Sequence, residues 1–170
     1  MNDDRSFIER YKFRGALFDA NLLLVYVVGK CGTNRLLNHP STKQYADDFP
    51  FIERLVESFS RLYTTPNVLT EVSNLGGKKG GVEFFEQLKK TVHVLEEHCC
   101  NSRNATLNPQ FRNLGLTDSG LLNLSPKFLI VTADFQLYSI LRANKVDAVN
   151  FHHLRPWSWQ LMERAKARPE

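Results

Sequence analysis

The chain has 170 residues, of which 42% are hydrophobic and 24% are charged, and its formal net charge is +4. This composition favours one folded domain over residues 1–170 and argues against an extensively disordered chain. The mild basic excess permits a polyanionic partner without demanding one. Because two of the three cysteines are adjacent, they make a poor disulfide framework, and we expect a cytoplasmic protein in a reducing compartment.

The N-terminal and apolar segments carry no targeting or membrane signal. The apolar run over residues 16–28 is too short to span a bilayer and contains Asp19. The first ten residues are charged and lack the apolar core of a signal peptide. We therefore expect no contact with a membrane.

Strand-like and helix-like segments alternate in the first third of the chain. Residues 15–19 predict a short buried strand, and Asn21–Val28 predict a buried helix that stops at Gly29. Residues 30–48 are polar and predict a loop with short turns. The apolar spacing over residues 49–62 then predicts an amphipathic helix.

The middle of the chain combines one short strand with two predicted helices. Residues 62–66, "LYTTP", predict a strand whose Thr65 caps a helix that starts at Pro66. The stretch "GGKKGG" (76–81) predicts a flexible loop; the alternative is a mobile basic loop near Glu71 that contacts a phosphate backbone. The apolar spacing over residues 82–97 predicts an amphipathic helix, followed by an irregular polar segment.

The clearest strand lies in the last third of the chain. The unbroken apolar run in residues 127–134, "KFLIVTAD", predicts a strand that is buried on both faces. A helix follows it, then a last strand or extended segment over residues 147–154. Residues 156–168 predict a helical C-terminal extension. Together, the alternation predicts an α/β/α sandwich with a mostly parallel sheet and a core over residues 15–152.

Four carboxylates occupy related places in this pattern. Asp19 and Asp134 each end a strand-like run, Asp118 stands at the head of a short predicted helix, and Glu71 lies about one turn past Pro66. Taken singly, each aspartate fits a helix N-cap better than a catalytic role. Glu71 is not explained as a cap, however, and strand exits of a parallel sheet gather at one edge. We therefore expect the four acids to converge.

Such a cluster predicts a metal site. Neighbouring carboxylates repel, so either their pKa values rise or a cation neutralises them. Ligands that are all oxygen suit Mg²⁺ or Mn²⁺. An ion of this kind activates water and stabilises the charge of a phosphodiester transition state. The predicted metal ligands are Asp19, Glu71, Asp118 and Asp134.

The segments around these acids resemble a known family. "LFDANLLL", "TPNVLTEVSN", "LTDSGLL" and "IVTADFQLYSIL" resemble, in chain order, the four acidic motifs of the PIN domain family. The resemblance spans about residues 15–152. It implies a compact α/β/α fold, a divalent-metal active site and endoribonuclease activity on single-stranded RNA. The catalytic residues it implies are the same four acids.

Two further positions support the implied site, and one departs from the family pattern. Asn21 matches the family asparagine, although a cap or turn role explains it equally well. Thr132 matches a hydroxyl that can hydrogen-bond to a carboxylate or to a metal-bound water. Ala20 stands where many relatives have Ser or Thr, so an orienting hydroxyl is missing there.

The resemblance also implies partners. Small members that stand alone are often the toxin of a toxin–antitoxin pair, so RNA, a small antitoxin protein and a second copy of the chain are the expected partners. A housekeeping RNA-processing nuclease is one alternative. A catalytically silent PIN-like module that binds RNA or protein is another, and an unrelated α/β domain whose aspartates only cap helices is a third.

Overall fold

A computed structural model describes residues 2–124 and 128–156. Within them the strands form one sheet of five parallel strands in the order β3-β2-β1-β4-β5. The strands are β1 (Ala16–Phe18), β2 (Leu62–Thr64), β3 (Leu95–Glu97), β4 (Leu129–Thr132) and β5 (Ala148–Asn150). Helices flank this sheet, so the predicted three-layer α/β/α sandwich is confirmed.

Most of the helices lie in the connections between successive parallel strands. Their bounds are α1 (Asn2–Tyr11), α2 (Ala20–Lys30), α3 (Thr33–Asn38), α4 (Phe49–Glu57), α5 (Pro66–Val92), α6 (Ser102–Thr106), α7 (Phe111–Leu122) and α8 (Phe135–Ala143). Helix α2 contacts α3, α4 and α5, whereas α7 contacts α6 and α8. Connections between parallel strands of one sheet are right-handed. Helices α2–α5 therefore cover one face of the sheet, and α6–α8 cover the other.

The core is centred on the two middle strands and α2. Every residue of β1 and β4 is buried. In the described part of the chain, the buried hydrophobic side chains form one cluster. Helix α2 is apolar on almost all sides because it packs between β1 and three other helices. Its Gly29 is required by packing, since a Cβ there would lie 2.1 Å from the ring of Phe49.

Several predicted boundaries were wrong, mostly where a short element carries few apolar residues. Residues 30–48 contain helix α3 and a 3₁₀ turn at Lys43–Tyr45, and α4 ends at Glu57. Residues 95–97 form the edge strand β3 and not the end of a helix. Both glutamates of β3 are exposed, so its sequence lacks the apolar run that marks the central strands.

Residues 76–80 of the glycine-rich stretch are helical, contrary to the predicted loop, and the predicted interruption between two helices is confined to Gly81. A Cβ at Gly76 would lie 2.0 Å from the Phe84 ring, and one at Gly80 would lie 2.3 Å from the Phe84 Cβ. These two glycines therefore make room for a buried aromatic ring. Only Gly81, with a φ of 61°, interrupts the helical geometry of α5.

Helical structure is also more extensive towards the C-terminus than predicted. The polar segment 99–113 contains α6 and the start of α7. Residues 151–156 are already helical, whereas the prediction began that helix at Pro156. The predicted extension through residue 168 lies outside the described residues. In the part of the chain that is described, no helix is long and apolar enough to cross a membrane.

Candidate active site

Asp19 lies where β1 ends and α2 begins. Its backbone N–H donates to the carbonyl of Val131 at 2.9 Å, which extends the pairing of β1 with β4. Its Oδ1 accepts the N–H of Leu22 at 2.7 Å and so caps α2. Its Oδ2 accepts the hydroxyl of Thr132 and the N–H of Ala133, the latter at 2.9 Å. The carboxylate is only 4% exposed and is held by three donors.

Asp134 occupies the equivalent place after β4. Its Oδ1 accepts the N–H of Leu137 at 2.9 Å and caps α8. Its own N–H donates to the Thr132 hydroxyl at 2.9 Å, so Thr132 links Asp134 to Asp19. The chain winds from β1 to β2 and β3 on one side and through β4 to β5 on the other. Both aspartates therefore lie at the switch point, where ligands bind in open α/β sheets.

Glu71 and Asp118 reach this edge from helices. Glu71 lies in α5, which starts directly after β2, the other neighbour of β1. Asp118 lies three residues after Gly115, whose φ of 72° interrupts the helical geometry of α7. It therefore stands in the first turn of the helical segment that follows this break, as predicted. Glu71 lines an open depression of about 350 Å³ together with Leu116 and Thr117, which directly precede Asp118.

The four predicted acids interact electrostatically. Burial and then the charges of Asp19, Glu71 and Asp134 raise the pKa of Asp118 to about 7. Burial also raises the pKa of Asp19, against the opposing effect of its hydrogen-bond donors. Within residues 2–124 and 128–156, however, no three His, Cys, Asp or Glu side chains lie close enough to hold one metal ion together. The charges of the acids therefore affect one another, although no three of the described side chains are placed as ligands of one ion.

A layer of buried polar side chains underlies this edge, and the sequence reasoning missed most of it. Thr64 ends β2, Asn150 ends β5, and Ser119 follows Asp118. All three are buried, and the Thr64 Oγ1, Ser119 Oγ and Asn150 Nδ2 have no hydrogen-bond partner in the described part of the chain. Such orphaned groups call for water, an ion or a ligand. The signal in the sequence is that buried strands end in a polar residue.

Two ring systems border the acids on the β5 side. The ring of His152 stacks on Tyr45 with centroids 6.3 Å apart. Burial and then the nearby Arg155 charge lower the pKa of His152, while a hydrogen bond to the Ala133 backbone opposes this. Burial and the Asp19 charge raise the pKa of Tyr45. Neither residue was predicted. The predicted Asn21 is exposed on the first turn of α2.

A second cavity, of about 380 Å³, lies away from the acids at the other end of α2. Arg35, His39 and Lys79 are among its lining residues, and none of the predicted acids is. Arg35 donates to the Gly80 carbonyl and to Glu83, so its charge is already paired. Cavity size alone would favour this location. The perturbed carboxyl groups favour the carboxyl edge of the sheet, and we place the candidate site there.

Comparison with known proteins gives no identification. No protein-family model matches the chain, no curated protein matches it, and no solved structure matches it. The resemblance to the PIN family therefore stays a prediction that rests on the four motifs.

Proposed function

We propose that the chain is a divalent-metal-dependent endoribonuclease that cleaves single-stranded RNA at Asp19, Glu71, Asp118 and Asp134. The observation that carries this proposal is the pKa of Asp118, about 7, which burial and three carboxylates raise. The charges that act on this group are all negative. A partly buried acidic cluster of this kind attracts a cation, and it lies where α/β sheets bind ligands.

The donor set suits Mg²⁺ or Mn²⁺. Carboxylate oxygens are hard ligands, and Mg²⁺ keeps several waters while using only one or two protein carboxylates. A preformed group of three acids is therefore not required. Asp19 and Asp118 would hold the ion, and Glu71 and Asp134 would orient its waters. When bound, the ion would activate a water and stabilise the charge that develops on the phosphate.

Neighbouring groups of the chain stabilise the negative charge of two of these carboxylates. The Thr132 hydroxyl and the Ala133 N–H stabilise the ionised form of the buried Asp19 carboxyl. The N-termini of α2 and α8 point at Asp19 and Asp134, which cap them, and a helix N-terminus stabilises negative charge. Within the described part of the chain no hydrogen-bond donor is found for the Asp118 carboxyl, and burial and three carboxylates raise its pKa, so its ionisation is the one that a cation would assist most.

Cleavage of a labelled single-stranded RNA by the purified full chain tests this proposal. We expect cleavage with Mg²⁺ or Mn²⁺ and none with EDTA. Asp118→Asn and Glu71→Gln should each abolish most activity while the chain stays folded. Glu86→Gln is the matched control, because Glu86 is an exposed carboxylate farther along α5, beyond the break at Gly81. Cleavage that persists in EDTA, or that survives in both site variants, would overturn the proposal.

A catalytically silent RNA-binding module is the second candidate. It is favoured by the three donors that already occupy the Asp19 carboxylate and by the lack of a three-acid metal group among the described residues. Titration of the chain with Mn²⁺ separates the two. A silent module would bind RNA, show no saturable Mn²⁺ binding and leave the RNA intact.

A further inference from the structure

Exposed apolar side chains border the acidic cluster. Phe135 is 66% exposed and directly follows Asp134, as the first residue of α8. Leu116 is 38% exposed and lines the same depression as Glu71. Among the large exposed apolar side chains of the described residues, these two alone stand within two positions of a predicted acid. Both side chains are therefore available to a substrate that binds at the acids.

The ring of Phe135 is exposed but ordered by its neighbours. Its centroid lies 6.2 Å from that of Tyr138, and Tyr138 in turn packs edge-on against His153 at 5.1 Å. The backbone of Phe135 is fixed because Asp134 caps α8 through the N–H of Leu137. A ring that is already ordered loses little conformational entropy when a ligand stacks on it.

We propose that Phe135 is a stacking platform for one nucleobase of single-stranded RNA, which positions the adjoining phosphate at the acidic cluster. This inference rests on the proposed function and names how the substrate is held. An exposed aromatic face stacks on any base, so it binds nucleic acid without reading its sequence. Bases inside a duplex already stack on one another, and the platform therefore selects unpaired strands.

The charges around the Phe135 ring determine how the base and the phosphate of the RNA are oriented. Asp134, Asp19 and Asp118 repel phosphate when no cation is present, so electrostatics alone would keep the backbone away from this edge. Stacking on Phe135 supplies an attraction that does not depend on charge. The base would therefore lie against α8, and the phosphate next to it would face the acids.

Binding of RNA without cleavage tests this role. Every arm uses the full chain with Asp118→Asn, in Mg²⁺, and gels confirm that the RNA stays intact. The probe is a fluorescent single-stranded RNA of about ten nucleotides, within the usual range for such sites, measured by anisotropy. Phe135→Ala is expected to weaken binding about tenfold and Phe135→Trp to retain it, as for a base–aromatic stack. Phe13→Ala is the matched control, because it truncates a ring that is 78% exposed in the turn before β1, at the end of that strand opposite to Asp19.

A second arm replaces single bases of the RNA by abasic sites. One position should cost about tenfold in binding to the Phe135 form and nothing further in the Phe135→Ala form, because the same contact is lost in both. Equal binding by Phe135→Ala, an equal loss with Phe13→Ala, or no RNA binding at all would overturn the inference. Binding as expected, but without cleavage by the unmodified chain, would overturn the proposed function and leave the platform standing.

Discussion

Replacing Asp118 by Asn is expected to stabilise the metal-free chain above neutral pH. The carboxyl has a pKa of about 7 in the fold, against an ordinary value of 3.8. The folded chain therefore holds this proton more tightly than the unfolded chain does. Its stability falls as the pH rises from about 4 to about 7, and the loss is complete above that range. A thousandfold difference in proton affinity corresponds to about 4 kcal/mol, and because Asp118 is only partly buried we expect about 2 kcal/mol.

Urea unfolding followed by circular dichroism in EDTA measures this effect. At about pH 4 the variant and the unmodified chain should unfold at similar urea concentrations, and at about pH 8 the variant should be the more stable. Asp118 suits this test better than Asp19, because an amide at Asp19 would disturb three hydrogen bonds. Glu86→Gln should leave the pH dependence unchanged, since Glu86 is exposed.

A variant no more stable than the unmodified chain at about pH 8 would refute the reasoning, because the field of the other three acids would then be too weak to matter. Adding Mg²⁺ supplies an independent arm. A cation that binds only the folded state raises the melting temperature, and it should do so more for the unmodified chain than for Asp118→Asn. Equal shifts in both would place the cation elsewhere.

Three further changes probe the packing that supports the site. Thr132→Val is expected to cost about 1.5–3 kcal/mol in urea unfolding at about pH 8, because the Asp19 carboxylate loses a donor, and Thr132→Ser should recover most of it. Gly76→Ala should cost about 1–3 kcal/mol, since its Cβ would lie 2.0 Å from the buried Phe84 ring; a melting temperature equal to that of the unmodified chain would contradict this. Asp48→Asn should lower stability by about 1.5–3 kcal/mol, because the half-buried Arg155 guanidinium loses a charged hydrogen-bond acceptor, and unchanged thermal unfolding would rule that out.

The sequence predicted those parts of the fold whose signal is local. An unbroken apolar run followed by an acid marks both β1 with Asp19 and β4 with Asp134, because a central strand is buried on both faces and its exit is polar. Gly76 and Gly80 misled the prediction, because they make room for the side chain of Phe84, which packs against them across the break at Gly81.

Asp118 shows the limit of motif reasoning at the site. Its neighbourhood in the sequence correctly predicted a turn and then a short helical segment, which begins after Gly115. The pKa of Asp118 is raised by burial and by three acids that lie elsewhere in the sequence. Both effects depend on how α5 and α7 meet at the sheet edge, which the sequence around Asp118 does not show. The orphaned Thr64 and Asn150 were missed for a related reason, because a short strand that ends in Thr or Asn has no distinctive local pattern.

The pairing of Asp19 with Thr132 and Ala133 sets when the site can exist during protein synthesis. Asp19 is made well before its partners, which follow 113 and 114 positions later. At about 5–20 residues per second, a ribosome needs roughly 6–23 seconds to add them. Throughout that interval β1 has no β4 beside it, and the acids are scattered along an incomplete chain. The nascent polypeptide thus cannot assemble the acidic edge until Thr132, Ala133 and Asp134 have been added.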